Sequence, residues 1–428
     1  MAQATRATGK VPLLANDYTV VYESPDPEGA YCYSPGLARL ASGRLVATMD
    51  LGGPAVRGLP STARWAHGEK DYDFVGKVFT SDDSGQTWTH RADFPFIHAR
   101  PFVAGERLYV IGRERELMII ASDDGGETWS PPTALTEGQY WHQSACNVHY
   151  ANGNVYLVME RRVSFDVPGW YVNELAPVLM RAGISADLTR RENWTFASEL
   201  AFRDLVTDGD DLIGIPFWNL GNTDPTGNIT RHMAPMGWLE TNVVQFVDSD
   251  HLWCDPTGHT FHLWMRSHTG GTGYACILKV VENPDGTMTT MPERVPSGRR
   301  IVYLPCPGGQ MRFHVLYDDR TRLYWLLSTL ASDGMTRPER LPGGRYGLPM
   351  NERQVLALHF SKNMVDWRMA GVVAHGSGPK EARHYASMVI AGDDLLVLSR
   401  SGDDRAKNAH DGDLITFHTV RAFRDLVY

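Results

Sequence analysis

Apolar and polar positions along the chain fall into one recurring unit: a short apolar strand, a tight polar turn, and a second strand rich in Val, Leu, Ile and Tyr. The copies read SPGLARLASGRLVATMD (34–50), ARPFVAGERLYVIGRE (99–114), QSACNVHYANGNVYLVMER (143–161), TNVVQFVD…HTFHLWMRS (241–267), MRFHVLYDDRTRLYWLLS (311–328) and HYASMVIAGDDLLVLSRS (384–401). Most of the turns carry the Gly and Asn chemistry of tight hairpins. Several copies are followed by a third apolar strand and a weaker fourth, and helical spacing is almost absent. A repeated four-stranded unit of this size predicts an all-β protein, a single β-propeller of antiparallel blades. Six blades count directly, while the insertion 201–236 leaves room for part of a seventh. The last unit is one strand short, and YTVVYES (18–24) has the pattern to complete it. Residues 1–428 are therefore read as one domain whose N-terminal strand closes the last blade.

Two octets fix the orientation of the ring. Ser81-Asp82-Asp83-Ser84-Gly85-Gln86-Thr87-Trp88 and Ser122-Asp123-Asp124-Gly125-Gly126-Glu127-Thr128-Trp129 share the pattern S-x-D-x-G-x-T-W, each after an apolar run. The pattern describes a self-bracing hairpin: the carboxylate accepts from turn amides, Gly permits a left-handed turn, and Trp packs between sheets. These octets resemble the Asp-box, or BNR repeat, of sialidase-like β-propellers. Degenerate copies run from Ser185-Ala186-Asp187 to Trp194 and from Ser361-Lys362-Asn363 to Trp367. Their role is structural.

If each box joins the third strand to the fourth, the opposite face collects the starts of first strands, the ends of second strands and the loops between strands two and three. First strands there open with Tyr31 and Tyr33, His98 and Arg100, Trp141 and His142, Glu240, Arg312, and Arg383-His384-Tyr385. Second strands end at Asp50, Arg113-Glu114, Glu160-Arg161-Arg162, Arg266 and His268, Ser328, and Arg400. Arginine presents a planar fork suited to carboxylates, so this rim predicts recognition of an anionic sugar. Its substrate-binding candidates are Arg100, Arg113, Arg161, Arg162, Glu240, Arg266, Arg312, Arg383, Arg400 and Trp141. For any one arginine, pairing with a neighbouring Glu or Asp is the blander alternative. His98, His142, His384 and Tyr385 are the acid–base candidates, with Glu160 and Glu240 as carboxylic acids and Trp141, Tyr171 and Trp238 as rings that could stack on sugars. His259-x-x-His262 would point its rings to opposite faces of a strand, which argues against zinc. No cofactor is expected, although Ser401-Gly402-Asp403-Asp404 and His410-Asp411-Gly412-Asp413 carry the oxygen atoms a calcium ion would use.

Composition narrows the partners. A net charge of −9 argues against nucleic acid and anionic membranes, and no apolar run reaches the ~20 residues that span a bilayer. The segment MAQATRATGK has no signal-like apolar core, so the chain reads as cytoplasmic, or as secreted or periplasmic if a signal has been removed. The five cysteines are scattered, with no Cys-x-x-Cys, and read as buried thiols.

The resemblance to Asp-box propellers implies carbohydrate chemistry in two versions. Sialidases need an Arg-Ile-Pro segment in the first unit, a Tyr–Glu nucleophile pair and an Asp acid; here the first unit reads Tyr33-Ser34-Pro35-Gly36, without the arginine. The opening SPGLARLASGRLVATMDLGGP, the WHQSACNVHY stretch and the His- and Arg-rich rim are similar to rhamnose–glucuronate lyases and α-L-rhamnosidases. That likeness implies β-elimination beside a uronic acid, with arginines neutralising the carboxylate and His98 or His142 removing the C5 proton. Elimination is the leading expectation on an acidic oligo- or polysaccharide, with sialidase-like hydrolysis and a non-catalytic glycan-binding ring as alternatives. Hydrolysis would demand a protonated Asp or Glu near the hub.

Overall fold

Each strand–turn–strand unit forms the inner half of a four-stranded antiparallel blade, and six blades follow one another around an axis. The computed structural model describes residues 12–428 except 16, 62, 67–71, 143–145, 168–169, 207–235, 270, 333, 335, 337–339 and 341–349. Blade I holds Tyr31–Arg39, Leu45–Gly52, Asp73–Ser81 and Thr89–Phe94; blade II holds Ile97–Ala104, Arg107–Arg113, Leu117–Ser122 and Thr133–Ala134. In blade III the inner strand comes as two pieces, Trp141–His142 and His149–Ala151, followed by Asn154–Arg162, Leu175–Gly183 and Trp194–Phe196. Blade IV holds Gly237–Val244, Thr260–His268, Tyr274–Glu282 and Met288–Met291, and blade V His314–Asp318, Leu323–Leu330, Val355–Ser361 and Arg368–His375. Blade VI is Arg383–Ala391, Asp394–Ser401 and Leu414–Val420, with Tyr18–Glu23 from the start of the chain paired to Leu414–Val420. The described strands thus form a six-bladed ring; most of the insertion that left room for a seventh sheet, 207–235, lies outside the described residues.

The strands read as nearly unbroken apolar runs because each blade is buried on both faces, and the two-residue alternation deals its side chains to two neighbours. In blade III, Val155, Leu157 and Met159 pack with Tyr109 and Ile111 of blade II, while Tyr156 and Val158 pack with Phe261 and Leu263 of blade IV. The same division recurs around the ring, so the core consists of wedges between consecutive blades rather than one central mass. Each fully buried Leu, Ile or Phe contributes about 1.5–3 kcal/mol to holding its wedge.

The Asp-boxes brace these wedges from one face. Asp83 accepts from the Thr87 amide at 2.9 Å and its hydroxyl at 2.6 Å, and Asp124 does the same for Thr128 at 2.9 and 2.5 Å. These bonds hold both carboxyls well below their usual value, the Asp83 group at about 2. Gly85 has φ +88°, and a Cβ there would sit 2.1 Å from the Phe417 ring of blade VI, so no other residue fits. In the degenerate copies Asp187 accepts from Thr189, and Asn363 takes the Asp position by accepting from Val365 and Asp366 amides.

Candidate active site

The inner strands change register where they reach the hub on the face opposite the boxes. In four blades the pairing slips by a bulge, and a residue at the slip is left-handed: Ser34 (φ 49°), His98 (58°), Glu240 (58°) and Tyr385 (51°). Positive φ is uncommon for such residues, and a bulge re-aims the side chain that carries it. A repeated, costly conformation at one place in the ring singles that place out as the candidate site.

On the side of blades IV to VI, two of these residues meet. The Tyr385 hydroxyl donates to Glu240 Oε1 at 2.7 Å. Arg266 Nη1 donates to the same hydroxyl at 2.6 Å and to Glu240 Oε2 at 3.2 Å. Two more guanidinium groups flank the Tyr385 ring, Arg353 at 5.5 Å and Arg400 at 5.4 Å from its centre. All five residues are buried. Burial pushes the Tyr385 phenol up against the opposing pull of Arg266. Burial also pushes Arg353 down to about 10, with Arg400 and Arg266 adding to the effect and Tyr385 opposing it. His384 accepts from Arg353 Nη1 at 2.9 Å, and burial holds its imidazole well below the usual value, so it orients Arg353 as a neutral ring.

On the side of blades I to III the acids are arranged differently. Asp50 accepts the His98 amide at 3.0 Å, and burial raises its carboxyl to about 6 despite that bond and the attraction of Arg400 and Arg113. Glu160 is fully buried and raised to about 8, chiefly by burial, although the Thr241 hydroxyl (2.7 Å) and amide (3.0 Å) both donate to it. The His98 ring lies edge-on to His142 at 5.1 Å and 3.4 Å from Arg113 Nε, and His142 Nδ1 is 3.8 Å from Glu160 Oε2.

The structure therefore brings together His98, Arg113, His142, Glu240, Arg266, His384, Tyr385 and Arg400 from the expected residues, and gives the others different partners. Arg100 and Arg312 are inter-blade ties, donating to Val158 O (3.1 Å) and to Ser387 Oγ (2.8 Å). Arg161 pairs with Glu199, and Arg162 bonds Glu174 at 2.9 Å while covering the Tyr171 ring at 4.1 Å. Arg383 bonds the carbonyls of Ala382 and Gly402. Trp141 fills the wedge between blades II and III, and Trp238 that between III and IV. His259 and His262 bond different carboxylates, Glu282 and Glu293, each at 2.7 Å. In the acidic loop, Asp403 is held by Arg405, and Asp411 by Tyr33 at 2.8 Å and His410 at 2.7 Å.

Sequence reasoning missed Arg353 and Trp170. Arg353 sits two residues before the third strand of blade V, and third strands begin on the same face as first strands, so that position carried the signal. Trp170, 40% exposed and 5.4 Å from the His142 ring, lies in the loop between the second and third strands of blade III.

No family model and no curated protein matches the chain, but solved structures do. A protein of unknown function from Dyadobacter fermentans has a TM-score of 0.52 at 12% identity, over 95% of this chain and 98% of its own. A Hadza microbial sialidase gives 0.52 at 14%, over 94% of this chain and 68% of that one. A Trypanosoma rangeli sialidase mutant displaying trans-sialidase activity gives 0.52 at 12%, over 96% of this chain and 59% of that one. At these identities the likeness establishes the fold alone, a β-propeller.

Proposed function

We propose that the protein is a retaining glycoside hydrolase acting on an anionic sugar, with Tyr385 as nucleophile, Glu240 as its base and Asp50 as the acid. The observation that carries this is the Tyr385 hydroxyl, bonded at once to Glu240 at 2.7 Å and Arg266 at 2.6 Å. A phenol whose ionisation is disfavoured by burial attacks only if a base takes its proton as the bond forms. Glu240 is in place for that. A neutral nucleophile also suits a substrate bearing its own carboxylate, which would repel an attacking carboxylate.

In the first step the Tyr385 oxygen bonds to the anomeric carbon, its proton passes to Glu240, and the glycosidic bond breaks as Asp50 protonates the leaving oxygen. In the second, Asp50 takes a proton from water, whose oxygen displaces Tyr385, and Glu240 returns the phenolic proton. Two inversions give retention. Arg266, Arg353 and Arg400 supply more buried positive charge than Glu240 offsets, and a substrate carboxylate would complete the balance. The arginine missing from Tyr33-Ser34-Pro35-Gly36 has a stand-in: the Arg400 guanidinium lies 4.2 Å from the Tyr33 ring centre.

Elimination beside a uronic acid is the second reading, favoured by His98, which the bulge turns toward Arg113 and His142. The carboxyls that burial raises at the hub, Asp50 to about 6 and Glu160 to about 8, favour hydrolysis over it. Incubation with a panel of acidic glycans tests the choice. Hydrolysis yields a free sugar carrying one added water and, by NMR, the substrate's anomeric configuration. An unsaturated uronate would instead indicate a lyase, and binding without any product a lectin-like ring.

A further inference from the structure

Glu240 does its work from a backbone conformation that blade IV does not itself secure. Leu239 pairs with Arg266 and Asn242 with Trp264, but Glu240 and Thr241 fall in the register gap between them. Below the gap the strand is pinned independently. Asn147 exchanges bonds of 2.8 and 2.7 Å with Val243, and Asn242 bonds Phe313 O and the Val315 amide, each at 3.1 Å. Above it, Trp238 is anchored to Leu175 O at 2.7 Å. Inside the gap, both the amide and the hydroxyl of Thr241 are taken by one oxygen, Glu160 Oε1 of blade III.

We infer that Glu160 is a positioning residue, gripping Thr241 from the neighbouring blade and so fixing the left-handed backbone that points Glu240 at Tyr385. The inference rests on Glu240 being the base of Tyr385. A carboxyl is suited to this place because it accepts two bonds on one oxygen while remaining neutral. Burial keeps its proton on, and so does the neighbouring Glu240 charge, against Thr241 and Arg100; an ionised group would repel the carboxylate it positions. The groups facing it are Thr241 and Glu240 of blade IV, Arg100 of blade II, and His142 of its own blade. Blade I uses a parallel device, in which Asp50 accepts the amide of the left-handed His98.

The test compares Glu160→Ala with Glu160→Gln, whose amide oxygen accepts the same two bonds and mimics the neutral acid. Glu160→Ala is expected to lower kcat on the order of 10²-fold with KM nearly unchanged, the cost of a misplaced reacting group. Glu160→Gln is expected to restore most of that loss. Should Glu160→Ala not fold, Thr241→Val, which removes only the hydroxyl bond, is expected to lower kcat by a smaller factor with little change in Tm. Crystal structures of the two Glu160 variants give a readout independent of activity: the Tyr385–Glu240 bond is lost in Glu160→Ala and kept in Glu160→Gln. Full kcat and an intact Tyr385–Glu240 bond in Glu160→Ala would overturn the inference. So would a Glu160→Gln as inactive as Glu160→Ala, which would make Glu160 a proton donor. If the wild type turns over no glycan, the hydrolase reading fails while the structural comparison still decides the positioning role.

Discussion

Blades IV to VI and blades I to III give the hub two unlike halves. In the first, Glu240 lies against a guanidinium and a phenol, and charges are matched by direct hydrogen bonds. In the second, Asp50 and Glu160 are as deeply buried, but their partners are backbone amides and hydroxyls, and burial lifts them to about 6 and about 8. What separates the halves is the bonding partner, because burial is common to both. A guanidinium in contact favours the charged form of a carboxyl, whereas burial among neutral donors raises its pKa. In the proposed mechanism one half takes a proton and holds an anion, and the other gives a proton.

The most severe way to break this division is Tyr385→Phe, which removes the proposed nucleophile and leaves the ring. It is expected to lower kcat by about 10⁴-fold or more at unchanged Tm, measured on whichever acidic glycan the panel identifies. Residual activity near wild type would move the nucleophile elsewhere. Asp50→Asn probes the other half, with an expected loss of about 10²–10⁴-fold on poor leaving groups and much less on nitrophenyl glycosides, which need no acid. The sign of its pH dependence follows from the raised carboxyl: the acid is active while protonated, so kcat/KM should fall as pH rises through about 6. That limb should vanish in the variant. Arg400→Lys keeps the charge but loses the fork over Tyr33, and should raise KM by roughly 10–100-fold, the worth of one charge-assisted bond. The smallest effect on turnover is expected from Asp124→Ala on the box face. It should lower Tm, since three donors (the Thr128 amide and hydroxyl and the Ser122 hydroxyl) lose their acceptor, while specific activity of the folded protein stays at the wild-type level.

The box face was legible in the sequence because its logic is local: Ser, Asp, Gly, Thr and Trp within eight positions contain both donors and acceptors. The ring was legible for the same reason, as strand alternation and hairpin turns act over a few residues. The hub was legible only as a set of candidates. Arg266 and Arg162 look alike in sequence, each at the end of a second strand, yet one faces Tyr385 and the other is taken by Glu174. Glu240 and Tyr385 are 145 positions apart, and no periodicity announces that two bulges will turn them toward each other. Arg353 lies just before a third strand, which shares the hub face with first-strand starts but falls outside the repeated strand–turn–strand pattern.

The direct test of the account is the identity of the residue that becomes covalently glycosylated. The protein would be treated with a fluorinated acidic glycosyl donor, whose slowed second step accumulates the intermediate, then digested and analysed by tandem mass spectrometry. The account predicts one added sugar on the peptide containing Tyr385, absent from Tyr385→Phe. Turnover with the adduct on another residue, or with an unsaturated product and no adduct at all, would contradict it.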